Sequence, residues 1–267
     1  MGDGFVDIHC HALPGVDDGA DGLDTGLDML RRAVDEGVDD IVLTPHYRPD
    51  DGPERAEELQ ECFSGFVEAV AAAGIDVAIH LGAELAFRFG LDRLVQSTPA
   101  ARLAGGSYVL VDLPPGPLSP GLEQAFFELR TAGYRPVLAH PERYRTLAAD
   151  PERIGRLRDQ DLLLQVNAGS LRGRFGRRAQ AAAIHLVESG QADFVGSDGH
   201  DLKKRPLSLR SAYEQVVGLA GRHEAERLFR CNPRCVLTGG STEAGQGTWL
   251  RERPGLWTRL RRRFGRH

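Results

Sequence analysis

Four cysteines in 267 residues, none in a Cys-x-x-Cys pair, leave little room for a disulfide scaffold or a thiolate zinc site. Cys10, Cys62, Cys231 and Cys235 also lack an arginine six positions on, where Val16, Glu68, Leu237 and Ser241 stand; the Cys-x5-Arg loop of thiol phosphatases is absent. No Gly-rich loop ends in Gly-Lys-Ser/Thr and no Gly-x-Ser-x-Gly elbow occurs, which removes the P-loop and serine-hydrolase readings. No apolar run approaches the ~20 residues of a membrane span. The amino terminus lacks a basic-then-apolar leader, and a reducing cytoplasm is the expected location. Lysine occurs only at Lys203 and Lys204, a compositional bias with no functional reading of its own.

Charge is unevenly spread. The net charge is −5, yet Arg251 to His267 holds seven arginines against one glutamate (+6), so the preceding chain stands at −11. An acidic body excludes general nucleic-acid binding, which needs clustered basic residues to neutralise phosphates. Residues 1–240 are expected to form a single barrel domain and 241–267 an arginine-rich tail, loosened by Gly239-Gly240-Ser241 and Gly245-Gln246-Gly247. In that tail Leu256, Trp257, Leu260 and Phe264 could line one face of a basic helix able to touch anionic lipid, with a disordered or body-docked tail as the alternative.

What the chain does have is alternation. Apolar runs at Val6–His9, Asp40–His46, Val77–Leu85, Ser107–Leu113, Arg135–His140, Leu162–Asn167 and Asp193–Ser197 read as strands. Helical spacing over Leu23–Val38, Pro53–Ala73, Gly121–Ala132, Pro151–Arg158 and Arg177–Ser189 separates them, with further helices up to Phe229. Continuous apolar strands between helices signal a parallel sheet covered on both faces. Some seven such units point to an α/β barrel.

Ligand-type residues recur where these strands end: His9 and His11, His46, Glu84, Asp112, His140 and Asp198 with His200. In a parallel barrel that rim carries the chemistry because the βα loops converge there. His9 and His11 are two apart and share a face, while Cys10 points the other way. Imidazoles with carboxylates and no thiolate suit catalytic Zn²⁺, Mn²⁺ or Fe²⁺, and a carboxylate bridging two ions is a usual core of phosphoester-hydrolysing clusters. Asp17-Asp18-Gly19 reads by itself as a turn. Arg143 and Arg205 are ordinary surface arginines by base rate, but beside such a cluster their guanidinium forks fit phosphate. His80, His185 and His223 sit at no strand end and are assigned to core or surface.

At Asp7-Ile8-His9-Cys10-His11, Leu13-Pro14-Gly15-Val16-Asp17-Asp18-Gly19, Thr44-Pro45-His46, Gly82-Ala83-Glu84, His140-Pro141-Glu142-Arg143-Tyr144, Asn167-Ala168-Gly169-Ser170 and Ser197-Asp198-Gly199-His200, the chain resembles the polymerase-and-histidinol-phosphatase (PHP) superfamily. Within it the chain is most similar to bacterial metal-dependent protein tyrosine phosphatases of capsular and exopolysaccharide synthesis. The resemblance implies a distorted (β/α)7 barrel and three divalent ions, manganese foremost, with zinc or iron as alternatives. It implies one ion on His9, His11, Glu84 and Asp198. A second would lie on Glu84, Asp112 and His140, and a third on Asp18, His46 and His200. Arg143 and Arg205 would bind phosphate, and with Asp198 and His200 would form the catalytic group. The implied reaction is hydrolysis of phosphotyrosine by a metal-activated hydroxide. Its partner would be a phosphotyrosine protein, a membrane-associated tyrosine autokinase. The alternatives are a small-molecule phosphatase such as one for histidinol phosphate, or a non-catalytic phosphate-binding module. The family's usual residue at position 112 is glutamate; aspartate, one methylene shorter, calls for a closer backbone or leaves a weaker second site.

Overall fold

The structure, a computed structural model, describes residues 3–48, 50–52 and 54–245. Its strands are β1 (Phe5–Cys10), β2 (Val38–Leu43), β3 (His46–Tyr47), β4 (Ala78–Leu81), β5 (Glu84–Ala86), β6 (Tyr108–Asp112), β7 (Arg135–Ala139), β8 (Leu163–Asn167) and β9 (Phe194–Gly196). All pair in parallel, in the orders β1-β2-β4 and β3-β5-β6-β7-β8-β9. These are seven staves, because the second and third expected strands are each broken in two. Pro45 interrupts the second, having no N–H to give to the ladder. In the third, Gly82 sits where a Cβ would lie 2.9 Å from Val42 Cγ1 and 3.1 Å from the Leu103 backbone, so only glycine fits. Backbone bonds from Gly82 N to Leu43 O (2.9 Å) and from Glu84 N to Pro45 O (3.1 Å) carry the wall across both breaks.

The wall returns to its start. Asp198 N donates to His9 O and His11 N donates to Gly199 O, each at 2.8 Å, and Cys10 and Gly199 form a parallel bridge. Beneath this seam the buried Asp7 carboxylate accepts from Ser197 N at 3.0 Å and His9 N at 3.2 Å, with its Oδ1 atom. Replacing it strands two buried donors, a cost of about 1–3 kcal/mol. Asp7→Ala should therefore lower the urea midpoint by an amount equivalent to that, with Asp7→Asn, which keeps an acceptor, milder. Equal midpoints for all three proteins would rule out the staple.

Burial falls into an inner and an outer layer. Inside the barrel Val6, Ile8, Val42, Tyr108, Leu110, Val137, Ala139 and Phe194 pack together, and Leu103 and Val236 join them. The outer layer lies between strands and helices, where Leu27, Leu30 and Ala33 of helix Leu23–Glu36 meet Ile41, Leu43 and Phe66. Helices Glu54–Ala72, Leu122–Thr131, Pro151–Arg158 and Arg177–Glu188 lie within a residue or two of the expected spans, and Arg210–Ala220, Arg222–Glu226 and Asn232–Thr238 follow. Helix Leu91–Ser97 has no counterpart in the sequence reading; its seven residues are too few to show a helical period.

Packing also aims the first two histidines. Strict alternation would put His9 on the face opposite Ile8, but the register slips between Asp7 and Cys10. This irregularity lets Ile8 pack inside the barrel while His9 bonds Gln165 at the level above. Cys10 belongs to the outer core.

No described helix is long and apolar enough to cross a membrane. The expected amphipathic face of Leu256, Trp257, Leu260 and Phe264 lies outside the described residues.

Candidate metal centre

At the C-terminal mouth the strand ends bring together all nine residues expected as ligands. They form four overlapping sets whose donor atoms lie within 4.8 Å of one another: His11, Asp18, His46, His200; His9, His11, Glu84; His9, His140, Asp198; and Glu84, Asp112, His140. The sets around Asp112 and around Asp18 match the implied second and third groupings, the latter with His11 added. The implied first grouping is split between two sets, one of which also takes in His140.

Glu84 is the hub. Its side chain is 1% exposed, with Oε1 3.0 Å from His140 Nε2 and 3.5 Å from His9 Nε2. Its Oε2 lies 3.0 Å from His46 Nδ1 and 3.5 Å from His11 Nε2. Burial alone would raise the Glu84 carboxyl, yet the four imidazoles hold it well below the usual carboxylate range. Burial likewise disfavours a charge on His11, but Asp17 and Glu84 override it and push the ring up to about 10. His200 goes the other way, to about 3, through burial and the repulsion of His11. Its ring centroid is 3.9 Å from that of His11.

Asp198 divides its two oxygens between two tasks. Oδ2 accepts from Arg143 (2.8 Å), Arg205 (2.6 Å) and Asn167 Nδ2 (2.6 Å). Oδ1, buried and without a hydrogen bond, faces His9 at 3.4 Å, His200 at 3.5 Å and His11 at 3.6 Å. His140 and Asp198 also share a backbone peculiarity: both are left-handed, with φ of 34° and 50°. Such conformations in non-glycine residues cost on the order of 1–3 kcal/mol and recur where function demands a side chain at that spot.

This donor set fits divalent cations. It is imidazole and carboxylate throughout. The unpartnered Asp198 Oδ1 and a buried, equally unpartnered His200 Nε2 sit within it. Asp112 reaches the centre despite its length: Oδ1 is 3.7 Å from His140 Nε2, and the Tyr144 hydroxyl holds the same oxygen. Tyr144 is itself fixed by Leu113 N, 2.8 Å away.

Several supporting residues were not singled out by the sequence. Asp17, read as a turn residue, does cap Gly19 N, but its Oδ2 lies 2.8 Å from His11 Nδ1 and also accepts from His46 N at 3.1 Å. It thereby orients His11, and despite burial the contact lowers its own carboxyl to about 2. Gln165 Oε1 does the same for His9 Nδ1 at 2.8 Å. Gly196 keeps that space clear, since a Cβ there would come within 3.0 Å of both His9 Cβ and Gln165 Nε2. Gln165 and Asn167 stand two apart in an otherwise apolar strand, a pattern that marks inward polar groups. Phe175, whose ring lies 4.5 Å from the Arg143 guanidinium and 6.0 Å from that of Arg205, sits in a loop with no such signal. His80 pairs with Asp40 and stays apart from the cluster.

Between the ligands and the loops lies a cleft of about 610 Å³, lined by Asp18, His46, Asp112, Arg143, Tyr144 and Arg205 among others. A parallel α/β barrel whose C-terminal mouth gathers histidines, carboxylates and two arginines defines a metal-dependent hydrolase-type site. The chain belongs to the capsular polysaccharide synthesis CpsB/CapC family, whose sequence profile matches residues 5–238. Tyrosine-protein phosphatase YwqE of Bacillus subtilis is 30% identical over 208 residues, 78% of this chain and 82% of that one. Tyrosine-protein phosphatase CpsB of Streptococcus pneumoniae is 26% identical over 238 residues, 87% of this chain and 98% of that one. A crystal structure from work on YwqE and CpsB, described as unique metal-dependent tyrosine phosphatases, superposes with a TM-score of 0.86 at 28% identity, covering 91% of this chain and 98% of that one. The fold extends to more distant barrels, such as the lactonase Lmo2620 of Listeria monocytogenes, at a TM-score of 0.56, 15% identity and coverage of 89% and 95%.

Proposed function

We infer that the protein is a metal-dependent protein tyrosine phosphatase acting on a phosphotyrosine protein, a membrane-associated tyrosine autokinase of polysaccharide synthesis. The observation that carries this reading is the junction at Asp198, where a carboxylate shared with the ligand cluster holds two arginine forks at the edge of the cleft. Three ions, manganese foremost, would be held by His9, His11, Glu84 and Asp198; by Glu84, Asp112 and His140; and by Asp18, His46 and His200. Bound divalent ions supply Lewis acidity and bring the pKa of water toward ~7, making a nucleophile at neutral pH.

The chain's own residues do the rest. Arg143 and Arg205 are 30% and 24% exposed in their side chains, open enough to meet a phosphoryl group yet anchored through Asp198. Their planar forks match phosphoryl oxygens and offset the charge that spreads over them as the ester bond breaks. Asp17 and Gln165 hold His11 and His9 in one ring orientation, so the ligand nitrogens are set before substrate arrives. The departing phenol has a pKa of ~10 and is a moderate leaving group. Cys10 takes no part: burial pushes its thiol well up, and it packs in the outer core.

The test is a phosphotyrosine-peptide assay on metal-stripped protein, with Mn²⁺, Zn²⁺, Fe²⁺ and Mg²⁺ returned singly and histidinol phosphate as the competing substrate. Activity should vanish on stripping and return best with Mn²⁺, with the peptide turned over faster than histidinol phosphate. Full activity after exhaustive chelation, or a phosphorylated cysteine, would sink this reading.

A further inference from the structure

Beyond the residues that form the centre, the mouth of the barrel is electrically lopsided. The loops after β7, β8 and β9, three neighbouring staves, carry Arg145, Arg172, Arg174, Lys203 and Lys204, all exposed. Both lysines of the chain are among them. Among the described residues no carboxylate stands within 4 Å of any of these five cationic groups in an ion pair.

Of the acidic groups on the same loops, only Asp201 is drawn to a member of the arc, Lys204. Glu142 and Asp198 are buried, Asp150 caps helix Pro151–Arg158, and Asp201 accepts from the backbone N–H groups of Lys203, Lys204 and Arg205. A bond from the Arg174 guanidinium to Lys204 O joins the β8 loop to the β9 loop, whose turn the Asp201 bonds close. The loops after β1, which adjoins β9 at the seam, and after β3 instead hold Asp17, Asp18, Asp21, Asp50 and Asp51.

Such an arc is unexpected on an acidic body unless something negative larger than a phosphoryl group is to be met. Arg145 lines the cleft beside Arg143 and Arg205, so the arc continues outward from the proposed phosphate site. At physiological salt a charge is felt over ~8 Å, and an extended chain advances ~3.3 Å per residue. The arc therefore reads the two or three residues flanking a bound phosphotyrosine. We propose, resting on the phosphatase reading, that the enzyme prefers phosphotyrosine segments flanked by aspartate and glutamate, and that Arg145, Arg172, Lys203 and Lys204 confer this preference. A peptide fits the arrangement better than a lipid surface, because the arc borders a recess that one side chain can enter while its neighbours stay at the rim.

The experiment uses the full-length, metal-loaded enzyme and two peptides of equal length, with phosphotyrosine flanked by glutamates or by lysines. The acidic peptide should show about tenfold higher kcat/KM at 50 mM NaCl, within the range of electrostatic steering, and lose most of that advantage at 500 mM. Arg172→Glu/Lys203→Glu/Lys204→Glu should erase or invert the preference while free phosphotyrosine is hydrolysed at the original rate. Equal kcat/KM for both peptides, with free phosphotyrosine still turned over, would overturn the preference and leave the phosphatase reading standing. Failure to hydrolyse phosphotyrosine in any form would overturn both. Capture by phosphatidylglycerol vesicles that the triple variant abolishes, without peptide discrimination, would assign the arc to membrane and likewise overturn the proposal.

Discussion

Asp198→Ala should reduce kcat toward phosphotyrosine peptides by on the order of 10³-fold, the upper range for losing one preorganised electrostatic contact in an active site. The reasoning starts from the two oxygens. Oδ2 fixes Arg143, Arg205 and Asn167, and Oδ1 faces the imidazoles of His9, His11 and His200. One truncation thus releases both arginines proposed to bind phosphate and removes a carboxylate from the candidate ligand cluster. Asp198→Asn separates these roles. Its amide oxygen can still accept from the guanidinium groups, but the side chain has lost the charge that divalent ions favour. The asparagine variant should keep near-normal KM and lose kcat, whereas the alanine variant should lose both. Metal analysis should find fewer ions in each. Wild-type kcat with undiminished metal in the alanine variant would remove Asp198 from the centre.

The contrast between Asp198 and its neighbours shows where the sequence was legible. The convergence of the strand-end residues could be read because parallel α/β architecture gives every strand the same polarity, so residues such as His46, Glu84 and His140 meet without any knowledge of the loops. The helix spans followed from apolar periodicity. The breaks at Pro45 and Gly82 were hidden because both stretches remain apolar and the ladder continues across them through backbone bonds.

Supporting residues were harder for a different reason. Gln165 meets His9 across 156 positions of sequence, and Asn167 meets Asp198 across 31. Those contacts depend on stagger between staves, β8 against β9 for Asn167 and β8 against β1 across β9 for Gln165, which local pattern does not encode. Asp17 was legible only as a turn, and it is one; that its other oxygen reaches His11 depends on the path of the loop. The basic arc was equally invisible: two lysines beside each other are unremarkable until the staves β7, β8 and β9 bring three loops together.

Glu84→Gln should be at least as damaging as Asp198→Ala, and it tests whether the cluster behaves as one unit. Four imidazoles from three other staves surround this carboxylate: His9 in β1 and His11 just past it, His46 at β3 and His140 past β7. Glutamine has the same shape, but only one oxygen, and its NH₂ must point at a pair of the rings. The carboxylate's charge, which balances the positive pull of those rings, is also lost. Because Glu84 belongs to two of the four ligand sets, its loss should lower the content of more than one ion and reduce kcat by roughly 10³-fold or more, the magnitude associated with losing electrostatic preorganisation. Asp112→Asn touches only the set it shares with Glu84 and His140, so its activity should recover as added Mn²⁺ is raised. Glu84→Gln should not recover over the same range. If both variants recovered alike, the ions would occupy independent sites and Glu84 would be no more than one ligand among nine. If only Asp112→Asn recovers, the centre is a single electrostatic unit built around one buried carboxylate.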